Sequence, residues 1–154
     1  MDAGGFLEVP KNQKAVQKMM VMAIDPGRDK CGLAVIDSDG QPLWHEVIAT
    51  STLSHQVRTL ADLYRLQEVF IGNGTTSKQA QAKLREASPA LTIHVVDEYR
   101  TTEEAKKLYW HLNPPTGWRR LLPTTMQVPP RPVDDLVAVI LARRILLKYT
   151  KEGL

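Results

Sequence analysis

Three acidic positions in this chain fall where one element ends or another begins. Asp25 closes the apolar run Met-Val-Met-Ala-Ile, Asp97-Glu98 follows Leu-Thr-Ile-His-Val-Val, and Asp134-Asp135 opens the C-terminal apolar stretch. Each has a plain structural explanation. Asp25 precedes Pro26-Gly27 and can cap a turn. Asp97 or Glu98 can interact with the N-terminus of a following helix, and Asp134-Asp135 suit a first helical turn through the same dipole. Together they are hard oxygen donors supplied by separate elements. Such a set suits Mg²⁺ or Mn²⁺, and two such ions about 3.5–4 Å apart activate water on one side of a phosphodiester and stabilise the leaving oxygen on the other.

That chemistry needs rigid supports. Residues 19–25 are nearly all apolar, as in a strand covered on both faces. Residues 32–37 and 42–48 flank Ser-Asp-Gly-Gln and predict an antiparallel hairpin. Leu53, Val57, Leu60, Ala61, Leu63 and Tyr64 recur at near-helical spacing, with Ser51 or Thr52 as cap. Strand and helix then alternate: EVFIG, TTSKQAQAKLREA with Leu84 inward, LTIHVV, and TTEEAKKLYWHL, opened by a Thr101–Glu104 capping box. Residues 113–132 hold six of the ten prolines and predict a long irregular loop. A last helix starts after Pro132, with Val133, Leu136, Val137, Ile140 and Leu141 on one face.

This order predicts an α/β fold: an antiparallel meander followed by crossover units, giving a mixed five-stranded sheet with helices on both faces. Strand ends near residues 25, 72 and 97 would share the edge where such sheets place ligands. Residues 1–18 read as a loosely ordered, slightly basic tail, and residues 19–150 as a single domain.

The 154 residues suffice for one substantial core, and 43% apolar with 24% charged residues is ordinary for a soluble protein. No apolar run approaches the roughly 18 residues of a membrane span. The N-terminus lacks a secretory pattern, and Cys31 is the only cysteine, which together point to a reducing cytoplasm without disulfides. Residues 19–112 carry ten Lys and Arg against twelve Asp and Glu, whereas residues 113–154 carry seven against three. A basic C-terminal third on a mildly acidic body suits a polyanion, although a solvated helix face has the same composition.

AIDPGRDKCGLAVID resembles the first hairpin of the RuvC and YqgF (RuvX) families of ribonuclease H-like nucleases. IGNG sits where YqgF-like proteins have a Gly-containing loop after the fourth strand. VVDEYRTTEEA resembles the family segment Asp-Glu-Arg-x-Thr-Thr without a gap, and VDDLVAVILA the C-terminal Asp-x-Leu-Ala-Ala helix. The motifs occur in family order over about residues 20 to 148. The resemblance implies a nuclease with Asp25, Glu98 and Asp134 as catalytic, metal-binding carboxylates and two divalent ions as cofactors. Asp135 is a further candidate ligand, because either neighbour of that pair can face inward. The substrates it implies are Holliday-junction DNA or the 5′ end of precursor 16S ribosomal RNA. Two departures bear on substrate choice: Tyr99 stands where the family has Arg, with Arg100 one position later, and Val137 replaces the first Ala of the last motif.

Trp118, Arg119 and Arg120, with Arg131, mix an aromatic with cations on the loop leading to Asp134, which suits base stacking and phosphate pairing as well as a plain solvated loop. Arg28 and Lys30 lie in the first turn, where they can steer backbone phosphate. Asn73 and Arg100, within the family-like segments, complete the candidate nucleic-acid contacts. GNGTTSK does not satisfy the phosphate-loop pattern, since Lys78 comes four residues after Gly74 with no adjacent Gly, yet the helix that follows can receive a phosphate at its N-terminus. His45, His55, His94 and His111 show no ligand spacing, and Met19, Met20 and Met22 read as core. Two other readings stay open: a non-catalytic nucleic-acid-binding module on the same fold, and a fragment of the actin and sugar-kinase type, which would need a second domain. The oligomeric state is also open, a homodimer included.

Overall fold

The computed structural model describes residues 20–151; the expected N-terminal tail and Met19 lie outside them. The strands are β1 (Val21–Asp25), β2 (Lys30–Ile36), β3 (Pro42–Ala49), β4 (Glu68–Gly72) and β5 (Thr92–Val96). The helices are α1 (Leu53–Tyr64), α2 (Ser77–Ala87), α3 (Thr101–Leu112) and α4 (Asp134–Lys151). The strands form one sheet in the order β3-β2-β1-β4-β5. β1, β2 and β3 pair antiparallel, while β4 joins β1, and β5 joins β4, in parallel. This is the expected mixed five-stranded sheet. None of the described helices is long and apolar enough to cross a membrane.

The period-two alternation of strand side chains divides the core into two layers. Met22, Ile24, Cys31, Leu33, Val35, Val69 and Ile71 pack under α1 and α2 with Val57, Leu60 and Leu84. Val21, Ala23, Ala34, Ile36 and Phe70 point the other way, onto Ala138, Val139, Leu141 and Ala142 of α4. Each fully buried Leu, Ile or Val contributes about 1.5–3 kcal/mol, so both layers matter. α3 lies against α4 through Ala105, Tyr109, Leu136 and Val137. By the same alternation, Asp25 belongs to the α4 face.

Local details differ from the expected caps. Thr52 takes the N-cap position of α1 but makes no side-chain cap bond: residues Thr50–Thr52 form a 3-10 turn, and Thr52 Oγ1 donates back to the Ala49 carbonyl at 2.7 Å. The Thr101–Glu104 capping box does not form. The chain enters α3 through Arg100 in the left-handed conformation (φ 57°), so Thr101 is already helical and donates its hydroxyl to the Glu98 carbonyl at 2.7 Å. Glu104 instead accepts a hydrogen bond from Arg144 at 2.8 Å. The proline-rich segment contains two short 3-10 turns, Gly117–Leu121 and Thr124–Met126. Met22 is core, and Met20 is half-buried.

Candidate functional site

The site is built on a row of three residues across the sheet. Asp25 on β1 pairs with Gly32 on β2, and on its other side Ile24 pairs with Ile71, next to Gly72 of β4. Gly32 and Gly72 share the α4 face with Asp25, by alternation with Ala34 and Phe70. Having no side chains, they leave two hollows, and both are filled. A Cβ on Gly32 would overlap the Asp134 carbonyl oxygen, so the first turn of α4 sits directly on that glycine. A Cβ on Gly72 would overlap the Glu98 carboxylate, and one on Gly74 would stand 3.0 Å from Glu98 Oε2. Backbone contacts hold Glu98 there: its N–H donates to Asn73 Oδ1 at 3.3 Å, and Asp97 Oδ1 accepts from Tyr99 N–H at 3.1 Å to tighten the turn.

Carboxylates crowded in this way resist ionisation. Burial, then the charges of Glu98 and Asp134, then a shared proton with Glu98, push Asp25 up to about 8. Burial also raises Glu98, against the lowering effect of Asp25 and of the Gly74 backbone. Asp134 is raised by burial and by Asp135, with Lys30 opposing. Asp135 goes the other way. Burial alone would raise it, but the hydrogen bonds and charges of His45 and Arg131 outweigh that and hold it below the ordinary carboxylate range. His45 Nδ1 donates to Asp135 Oδ2 at 2.7 Å, and an Arg131 guanidinium nitrogen donates to Oδ1 at 3.0 Å.

The adjacent pair is thus divided: Asp134 acts on Asp25, while Asp135 is buried in an ion-paired clamp joining β3, the proline-rich loop and α4. Arg131 is part of that clamp, also donating to the Pro132 carbonyl at 2.8 Å and lying over the Tyr109 ring, 5.5 Å from its centroid. Asn73 braces Glu98. Arg28 and Lys30 are exposed, and Arg100 covers the exposed Tyr99 ring at 5.3 Å. Trp118 is 69% exposed, with Arg119 5.8 Å from its ring centroid and Arg120 exposed beside it. Sequence reasoning missed Gly32, Gly72 and His45. Gly32 lies in the family-like hairpin and Gly72 closes a strand, which is a readable signal; His45 gives none.

An oxygen-only donor set suits a divalent cation of the Mg²⁺ or Mn²⁺ kind. Glu98 Oε1 adds a specific fit, being buried with no hydrogen-bond partner. Among the described residues, no three His, Cys, Asp or Glu side chains stand close enough together to hold an ion. Asp134 reaches Asp25 as charge rather than by contact.

Residues 19–109 match the family described as the Tex protein YqgF-like domain. The chain belongs to that family. The match spans the whole sheet, ends within α3 and stops before α4, so Asp134 lies beyond it. In fold, this YqgF-like domain is similar to the RuvC of Thermus thermophilus, with 16% identity, a TM-score of 0.54, and coverage of 83% of this chain and 96% of that one. That likeness shows the ribonuclease H-like fold. A weaker likeness is to Pelota of Archaeoglobus fulgidus, at 16% identity and a TM-score of 0.40, covering 93% of this chain and 44% of that one. No curated protein matches this chain in sequence.

Proposed function

We propose that this chain is a divalent-metal-dependent nuclease acting on structured nucleic acid, either Holliday-junction-like DNA or the 5′ end of precursor 16S ribosomal RNA. The observation that carries the reading is Asp25, held at a strand end where burial and two neighbouring carboxylates oppose its charge. A structural turn residue gains nothing from that crowding, whereas a cation ligand needs it. Asp25, Glu98 and Asp134 would hold the ions. When bound, the ions supply an activated water and neutralise the leaving oxygen. The glycine floor seats the Glu98 carboxylate and the Asp134 backbone against the sheet, and the Asp135 clamp ties the first turn of α4 to β3, which keeps the Asp134 charge near Asp25. Lys30 adds a cation beside Asp134 that favours phosphate. Exposed Trp118 and Arg119 offer a stacking surface for an unpaired base.

The test is to incubate the protein with labelled four-way DNA junctions and with precursor ribosomal RNA, with and without Mg²⁺ or Mn²⁺. Metal-dependent cleavage of one of them is the expected result, and cleavage of neither sinks the reading. Binding without cleavage would favour the binding-module alternative, to which the lack of a ready-made three-ligand cluster among the described residues lends weight.

Cys31 provides a control. It is buried, with Sγ 3.2 Å from Thr50 Oγ1 and 3.8 Å from the Gly27 carbonyl, and belongs to the core under α1. Cys31→Ser should cleave as the parent does, with a melting temperature lower by roughly 2–4 °C for about 1 kcal/mol lost. Loss of cleavage with an intact fold would show that the thiol takes part in the site.

A further inference from the structure

Beside the turn that follows Asp25 lies a cavity of about 60 Å³, whose lining includes Gly27, Arg28, Ser54, Thr76, Gln79 and Lys83. One water needs only about 10–15 Å³, so the cavity is sized for a larger guest. Among the described residues, its only charged lining groups are Arg28 and Lys83, and no carboxylate lines it. Among the described residues, Arg28, Ser54, Gln79 and Lys83 have no side-chain partner, leaving their donors available. Two helices also begin here: Ser54 lies in the first turn of α1, and Thr76 is the N-cap of α2. Neither helix has a side-chain cap, so the positive ends of two helix dipoles add to the two cations. The wall is fixed by Thr50, whose hydroxyl donates to the Gly27 carbonyl at 2.9 Å.

We propose that this cavity seats a backbone phosphate of the nucleic-acid strand whose neighbouring phosphodiester is presented to the carboxylates. The inference rests on the nucleic-acid reading above and assigns it a second anchoring point. The cavity lies on the α1 and α2 face and the carboxylates on the α4 face. Gly27 is only two residues beyond Asp25, however, a span of at most about 7 Å of chain, so a strand crossing that edge of the sheet can touch both places. A tetrahedral anion matches a lining of cations and hydroxyl and amide donors. The carboxylate cluster repels that anion unless metal is present. The cavity therefore supplies affinity that does not depend on metal.

The experiment measures equilibrium binding of a labelled four-way DNA junction and a precursor ribosomal RNA fragment by fluorescence anisotropy, in EDTA and over a range of salt. The parent is compared with an Arg28→Gln, Lys83→Gln double variant and with Ser54→Tyr, which fills the cavity without altering charge. The double variant should bind about ten-fold more weakly at physiological salt, and its log–log salt slope should be flatter by one to two units, roughly one per lost phosphate contact. Ser54→Tyr should weaken binding although its charge is that of the parent. Melting curves confirm that each variant is folded. Parental affinity and slope in the double variant overturn the inference, as does a parent that binds neither nucleic acid. A second arm titrates inorganic phosphate. If phosphate raises the melting temperature of the parent alone while nucleic-acid affinity is the same in all variants, the cavity serves free phosphate and the proposal fails. Because EDTA excludes cleavage, cavity-dependent binding by a chain that never cleaves upholds the inference while the nuclease reading falls. Cleavage without cavity-dependent binding does the reverse.

Discussion

Asp25→Asn should abolish metal-dependent cleavage and, in the same protein, raise the melting temperature of the metal-free chain. The two effects share one cause. The Asp25 carboxyl has its folded value pushed from 3.8 to about 8 by burial and by Glu98 and Asp134. Between those values the folded chain binds more protons than the unfolded one, so unfolding free energy falls as pH rises through the window. Glu98 and Asp134 are raised too and act in the same direction. The parent should therefore melt highest at the acidic side of that window and lose stability toward pH 8. Asp135 sets the opposite limit: being lowered, it contributes stability above its ordinary value, and that stability is lost as pH falls through its folded value. Asn keeps the turn-forming shape of Asp25 without its charge. At pH 8 the variant should gain about 1–2 kcal/mol, or roughly 3–6 °C, and its pH profile should be flatter. Mn²⁺ should raise the melting temperature of the parent and leave the variant nearly unmoved, since bound metal stabilises only the form that binds it. Cleavage should fall by more than about 100-fold, since losing a group that merely supports a metal ligand already costs roughly 10–100-fold. A variant that cleaves as well as its parent would reduce Asp25 to a turn residue and remove the central group from the nuclease reading.

Gly72→Ala should inactivate the site without touching an acidic residue. The added methyl overlaps the Glu98 side chain from Cγ to Oε1, whereas at Gly32 the overlap is with the Asp134 backbone. A side chain can swing away; the first turn of a helix cannot. Gly72→Ala should therefore fold, at a cost of about 1–3 kcal/mol for overpacking, while Glu98 is expelled from its hollow. The expected signature is a Mn²⁺-induced melting shift reduced to near that of Asp25→Asn, with cleavage lost by a comparable factor. Gly32→Ala should instead depress stability strongly, because α4 carries much of one core layer. If Gly72→Ala retained the parental metal response, Glu98 would not be a ligand in the position it occupies here.

The sequence by itself determined what depends on local pattern. The continuous apolar run of residues 19–25 disclosed a strand covered on both faces, and apolar spacing near 3.6 in residues 53–64 and at the start of the last helix disclosed amphipathic helices. The hairpin turn was legible in Ser-Asp-Gly-Gln, and the structure shows why it closes: Asp37, just before it, accepts from the Asp39 and Gln41 backbones through Oδ1 at 2.9 Å, and Gly40 has φ 81°. The boundary positions of the acidic residues were equally visible, since each interrupts an apolar run. Tertiary structure decided what depends on contact between distant segments. Asp134 and Asp135 are indistinguishable as neighbours in sequence, and they are separated only because His45, ninety residues away, and Arg131 claim the second of them. The missing caps have the same origin. Thr101 was drawn into its helix by the Glu98 turn, and Glu104 was taken by Arg144, forty residues on. Whether a glycine is merely permissive or is the floor of a site depends on what packs over it. Neither Gly32 nor Gly72 discloses that until α4 and the Glu98 turn close onto the sheet, because a residue without a side chain leaves no pattern of its own to read.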